Sequence, residues 1–246
     1  IELSDKISTF ERITKEDNFN YLFSIGGDGT LLRAVTYVRD SNIPIMGINT
    51  GRLGFISSIS TDQIDVAVDN VLNGEYKIRS RTVLELDTEK NLFGTTNFAL
   101  NEVAIVKKDT SSMIRIDAFI DGEFLNSYWA DGLLISTPTG STGYSLSCGG
   151  PIILPGTENI IITPIAPHNL NVRPIIINEN STIGLKVEDR DQLALVSLDS
   201  RSRAFDSSSE LIIRKANFKI KLIEPNDHSF ITTIRSKLMW GEDKRN

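Results

Sequence analysis

The chain has 246 residues, a formal net charge of −6, 40% hydrophobic and 24% charged residues, and one cysteine, Cys148. That composition is ordinary for a globular protein and excludes a fibrous or disordered chain. The acidic balance argues against non-specific nucleic-acid binding, which needs a surplus of Lys and Arg facing phosphates.

No apolar run approaches the roughly 20 residues of a membrane helix, and the first residues lack the basic start and apolar middle of a secretory signal. A lone cysteine forms no intramolecular disulfide and suits a reducing compartment. The expectation is therefore a cytoplasmic protein with neither membrane nor nucleic-acid partners. His168 and His228 are the only histidines, and neither HExxH nor paired-Cys spacing occurs, so no metal-binding residues are expected in the protein itself.

In chain order, the first clear unit is strand, turn, helix. Apolar YLFSI at 21–25 leads into Gly26-Gly27-Asp28-Gly29-Thr30, and then Leu31, Leu32, Val35 and Val38 fall on one helical face. IPIMGIN at 43–49 predicts a parallel strand. Ile64, Ala67, Val68, Val71 and Leu72 predict a second helix, with Gly74 as its stop. From about residue 76 the texture changes to short β-rich runs, among them NFALNEVAIVKK at 97–108, EFLNSYWADGLLIST at 123–137 and FKIKLI at 218–223. Their spacing predicts an all-β sandwich or prism rather than further βαβ units. Asp121-Gly122 between two alternating runs is a hairpin signal. The final stretch predicts a helix returning to the first domain. The expected organisation is thus an α/β domain at 1–75, a β-rich domain at 76–225 and a returning segment at 226–246.

Three constellations carry chemistry. The glycines of the 26–30 loop let backbone N–H groups approach phosphate at a helix N-terminus, with Thr30 as the expected cap. A plain turn would use the same residues. Asp28 speaks against that, because a carboxylate in an anion-binding loop repels phosphate unless it binds metal or accepts a hydroxyl proton, and both are kinase roles. No GxxxxGK[ST] occurs, and Leu32 stands where a GxGxxG fingerprint wants its last glycine.

The second constellation is Asp131-Gly132, strand LLIS, and the run from Thr137 to Ser147, dense in hydroxyls and glycines. An apolar strand enters it and Gly149-Gly150-Pro151 leaves it, which favours a binding loop over a linker. Asp131 suits amide or amine donors, or else caps a turn. The third is Asn101-Glu102. Period two sends neighbours to opposite faces of a regular strand, so both meet one ligand only at a bulge or strand end. From spacing alone, one exposed and one satisfied side chain is the simpler reading. Lys107 and Lys108 read as a solvated strand end.

Taken together, GGDGTLLR at 26–33, LNEVAI at 100–105, DGLLISTPTGSTGYSLSCGGP at 131–151 and ITPIAPHNLNVRPI at 162–175 resemble the NAD kinase family over essentially the whole chain. The first block alone is shared with phosphofructokinases and lipid kinases. The resemblance implies a Rossmann-like α/β domain, here short of the family's first strand, and a β-rich NAD-binding domain, with the site in the cleft between them. It implies phosphoryl transfer from ATP or another donor to the 2′-hydroxyl of the adenosine ribose of NAD, with Mg²⁺ or another divalent cation bound with ATP, in a homodimer or homotetramer.

Residue by residue, the resemblance makes Asp28 the proton acceptor and gives Gly29 and Arg33 phosphate-placing roles. Asn101 and Glu102 match the NAD-binding pair, Asp131 the base- or amide-binding acid, and Thr142, Gly143, Tyr144, Ser145, Leu146 and Ser147 the dinucleotide loop; Ala166 is a further contact. The family's Asp-Gly-Gln turn is here Asp199-Ser200-Arg201, and Arg201 is left outside the site. Two rivals remain: a lipid or sugar kinase, which does not explain residues 131–151, and a non-catalytic dinucleotide sensor, which has no use for Asp28.

Overall fold

The computed structural model describes residues 13, 19–51, 54–108, 113–188, 193–226 and 228–240. It divides into two compact units: the chain up to Ile78 together with Ile220–Asn226, and the remainder from Arg79.

In the first unit, β1 (Leu22–Gly26) runs into α1 (Asp28–Val38), then β2 (Ile45–Asn49), β3 (Ile59–Ser60), α2 (Ile64–Leu72) and β4 (Tyr76–Arg81), which leads out of the unit. β1 and β2 pair in parallel from Leu22↔Ile45 to Gly26↔Asn49, as the two apolar runs predicted. α1 buries Leu31, Ala34, Val35 and Val38, one stripe of a 3.6-residue period. α2 ends as expected: Gly74 takes φ +75°, its N–H donates to Val71 O at 3.2 Å, and Glu75 N donates to Asn70 O at 2.7 Å. Paired bonds of this kind close a helix whose next residue tolerates the left-handed region.

The second unit holds β5 (Leu84–Thr88), β6 (Phe98–Ala99), β7 (Glu102–Lys107), β8 (Ile114–Ile120), β9 (Glu123–Ala130), β10 (Gly132–Ser136), α3 (Tyr144–Ser147), β11 (Asn159–Ile165), β12 (Ile175–Asn178), β13 (Ile183–Glu188), β14 (Leu193–Leu198), β15 (Arg201–Asp206) and β16 (Leu211–Lys215). β17 (Ile220–Pro225) and α4 (Phe230–Leu238) follow.

Two six-stranded sheets form, in the orders β12-β11-β10-β7-β14-β15 and β6-β5-β16-β13-β8-β9. One apolar cluster contains Val103, Ile105, Leu133, Ile135, Ile160 and Ile162 from the first and Leu84, Ile114, Ile116, Ile183, Leu185 and Ile213 from the second. The β-rich part is therefore a sandwich sharing a single core. Asp121 (φ +52°) and Gly122 (φ +85°) make the predicted tight turn between β8 and β9.

Two features differ from the sequence reading. The run at 123–137 is two strands in different sheets, with Asp131 at the corner between β9 and β10. β17, grouped in the sequence with the β-rich runs, pairs in parallel with β2 through Leu222↔Ile45 and Ile223↔Met46. It is thus β17 that returns to the first unit, whereas residues 228–240, with α4, group with the second. The β17 sequence alternates like any β strand, and only long-range pairing assigns its sheet.

Candidate active site

β1 ends at Gly26, where a Cβ would stand 2.3 Å from Thr30 Oγ1. α1 then starts three residues earlier than expected, at Asp28, with Gly27 as its N-cap and, among the described residues, no side-chain cap. Thr30 is accordingly not the cap: its N–H donates to Gly27 O at 3.0 Å, and that of Leu31 to the same oxygen at 3.2 Å. A helix leaves the N–H groups of its first residues unused. Here they belong to a segment whose Gly27 and Gly29 have, among the described residues, no neighbouring atom within 4 Å of where a Cβ would stand, and Arg33 is exposed on the next turn.

The Asp28 carboxylate is held by a segment far along the chain. Its Oδ2 accepts from Phe55 N at 2.8 Å, and its Oδ1 from Ile56 N at 3.3 Å and Ser57 N at 2.9 Å. The acid expected among its own loop's amides is thus anchored by three others. A carboxylate offers about four lone-pair positions. With three taken, the position that the described residues leave for a further proton or donor lies on Oδ2.

In the second unit, β7, β10 and β11 are buried on both faces. Val103, Ile105, Leu133 and Ile135 face the sandwich core. Ala104, Leu134 and Ile165 face the other way and meet Cys148, so the glycine- and hydroxyl-rich segment covers this outer face. It is fastened there by Thr137 N to Asn101 O at 2.9 Å and Thr137 Oγ1 to Leu100 O at 2.6 Å. Gly140 passes so close that a Cβ would stand 2.1 Å from Asn101 O.

Glu102 is the first residue of β7, paired across the ladder with Ser136, and Asn101 lies just outside the strand. The pair therefore occupies a strand end, the arrangement that frees neighbours from opposite faces. A Cβ on Gly143 would stand 3.1 Å from Glu102 Oε2 and 3.5 Å from Asn101 Nδ2, so both side chains converge on one loop residue. Among the described residues, Asn101 Oδ1, Glu102 Oε2 and Ser136 Oγ are buried without a hydrogen-bond partner. Burial pushes the Glu102 carboxyl up to about 8, aided by the charge of Asp199 and opposed by the Tyr144 N–H.

Asp131 and Ala166 lie at the opposite end of β10 and β11. Asp131 N donates to Ile165 O at 3.0 Å, and Ala166 adopts φ +43°, a region costly for a residue with a Cβ. Lys107 is not a solvated strand end: its Nζ lies 2.6 Å from Asp131 Oδ1, and its N–H donates to Asp131 O at 3.0 Å. Five residues of β10 separate the two ends, on the order of 16 Å at strand rise. The Tyr144 hydroxyl is pushed up, first by burial and then by Cys148, Asp131 and Glu102.

Within the loop, Ser145 turns inward, its Oγ 3.0 Å from Thr163 Oγ1. Thr142 Oγ1 donates to Thr139 O at 3.3 Å, Leu146 is half-buried, and Tyr144 and Ser147 are exposed. Arg201 directs its guanidinium to the carbonyls of Thr96 and Phe98, with Cζ 5.6 Å from the Phe98 ring centroid. Sequence reasoning missed Gly54, where a Cβ would stand 1.7 Å from Asp28 Oδ1, as well as Lys107 and Asp199. A separate hollow of about 690 Å³, lined by Tyr128, His168 and Arg173 among others, contains none of the predicted site residues.

Comparison with known proteins identifies the family. The ATP-NAD kinase C-terminal domain matches residues 100–225, and the ATP-NAD kinase N-terminal domain matches residues 4–76. The chain is 52% identical over 246 residues to an NAD kinase of Cytophaga hutchinsonii, covering all of this chain and 84% of that one. It is 49% identical over 241 residues to an NAD kinase of Christiangramia forsetii, covering 97% and 81%.

Among solved structures, a yeast NADH kinase complexed with NADH superposes with a TM-score of 0.84 at 28% identity, over 94% of this chain and 70% of that one. An NAD kinase from Archaeoglobus fulgidus in complex with ATP superposes with a TM-score of 0.81 at 27% identity, over 96% and 91%. The chain belongs to the NAD kinase family, enzymes that transfer a phosphoryl group from ATP or another donor to the adenosine-ribose 2′-hydroxyl of NAD, giving NADP.

Proposed function

We propose that this chain performs that transfer with Asn101 and Glu102 holding the ribose of NAD, Asp131 receiving amide or amine donors, and Asp28 accepting the 2′-hydroxyl proton. Gly29 and Arg33 place phosphates, and the segment from Thr142 to Ser147, with Ala166, lines the dinucleotide. The observation that carries the reading is the convergence of Asn101 and Glu102 on Gly143 with buried oxygens that no described residue partners. Buried polar groups are almost always paired, and a ribose diol can donate to carboxyl and carboxamide oxygens and accept from the proton that the raised Glu102 carboxyl keeps. Ser145 contributes backbone rather than hydroxyl, since its Oγ is engaged with Thr163.

Phosphoryl transfer needs alignment and charge neutralisation more than covalent help. The 2′-oxygen attacks the terminal phosphorus of ATP, the bond to the bridging oxygen breaks, ADP leaves, and the hydroxyl proton passes to the free lone-pair position on Asp28 Oδ2. The divalent cation enters with the triphosphate as part of the substrate and offsets its charge. ATP as donor is supported by the Archaeoglobus fulgidus relative, which holds ATP. A homodimer or homotetramer rests on the family resemblance, and a cytoplasmic location on the lone cysteine.

Calorimetric titration of NAD into Asn101→Ala tests the assignment of the pair. Loss of hydrogen bonds from a buried site weakens binding about tenfold or more. Unchanged affinity removes Asn101 from the site.

A further inference from the structure

We infer that Asp199 is the positioning residue that turns Asn101 and Glu102 toward the same substrate. Asp199 is the first residue of the two-residue turn between β14 and β15, where Leu198 pairs with Arg201, and it adopts φ +52°. Its Oδ2 accepts from Leu100 N at 3.0 Å, and its Oδ1 from Asn101 N at 2.8 Å and Glu102 N at 3.3 Å. Its own N–H donates to Glu102 O at 3.0 Å.

In an extended strand, successive N–H groups point to opposite sides. Three consecutive ones reach a single carboxylate only where the chain curls into an anion-binding concavity. The Asp199 carboxylate stabilises that curl. It delays the start of β7 until Glu102 and cancels the alternation that would send Asn101 to the sandwich core. The result is the shared approach of both side chains to Gly143. The arrangement places a second carboxyl beside Glu102, a cost that a purely structural turn gains nothing from bearing. Arg201, two residues on, offsets part of it.

This inference rests on the reading of Asn101 and Glu102 as the NAD grip, so Asn101→Ala is measured beside the Asp199 variants. Asp199→Asn and Asp199→Ala are assayed for kcat, KM for NAD, KM for ATP and thermal midpoint, with amide hydrogen exchange at residues 100–102. Expected for folded Asp199→Asn is a KM for NAD raised about tenfold or more, as in Asn101→Ala, with KM for ATP unchanged and faster exchange at the three amides. If Asn101→Ala raises KM for NAD and folded Asp199 variants do not, the positioning role is overturned while the site reading stands. If Asn101→Ala itself leaves KM unchanged, the site reading fails and the inference with it. If both Asp199 variants lose the fold, the carboxylate serves the whole unit and the positioning role is also overturned.

Discussion

Gly54 lies against Asp28 so closely that a Cβ at residue 54 would stand 1.7 Å from Oδ1 and 2.4 Å from Cγ. Only the absence of a side chain at Gly54 lets the following three amides reach the carboxylate, so the glycine sets where the acid points. Gly54→Ala should displace the carboxylate. Misplacing a reacting group by about 1 Å can cost about 10²-fold in rate. The expected result in steady-state kinetics is a fall of that order in kcat with little change in KM for NAD; wild-type kcat would show that the Asp28 orientation is immaterial.

Glu102 predicts a pH dependence of stability. Its folded carboxyl is raised to about 8 from an ordinary 4.5, with burial as the main cause and Asp199 as the second. Between those values the folded protein holds a proton that the unfolded chain releases. The stabilisation is therefore complete below about pH 4.5 and is lost as pH rises toward 8, with a slope of up to about 1.4 kcal/mol per pH unit. Urea unfolding of Glu102→Gln across this range should give a flatter profile than wild type. Parallel profiles would mean that Glu102 ionises freely in the fold.

The Lys107–Asp131 pair predicts a separation of stability from binding. Both side chains are partly exposed, so Lys107→Met should cost no more than about 1 kcal/mol in denaturant unfolding. Asp131 loses the contact that orients it, and KM for NAD should rise by a factor of about 3 to 10 while KM for ATP holds, a change equivalent to about 1 kcal/mol. An unchanged KM for NAD would show that Asp131 needs no such support.

Local features were legible in the residues that form them. The strand-loop-helix around Asp28, the Gly74 stop and the Asp121-Gly122 turn depend on neighbours within a few positions, and those neighbours are visible in the sequence. The strand-end location of Asn101-Glu102 was an open alternative there, because period two alone argues for opposite faces. What settles it is Asp199, nearly a hundred residues away. Asp28 and Asp199 share one device, a carboxylate gripping three consecutive N–H groups of a remote segment. Neither grip has a local signature, since the amides it uses belong to every residue type. The same holds for Lys107, whose partner is set by sheet order.

The most direct test of the account is turnover by Asp28→Asn with NAD, ATP and Mg²⁺, read as NADP formation, beside NAD affinity by calorimetry. Loss of a general base lowers kcat by about 10²- to 10⁴-fold while leaving NAD affinity within about threefold of wild type. Turnover equal to wild type in the folded variant would contradict proton transfer to Asp28, and with it the mechanism.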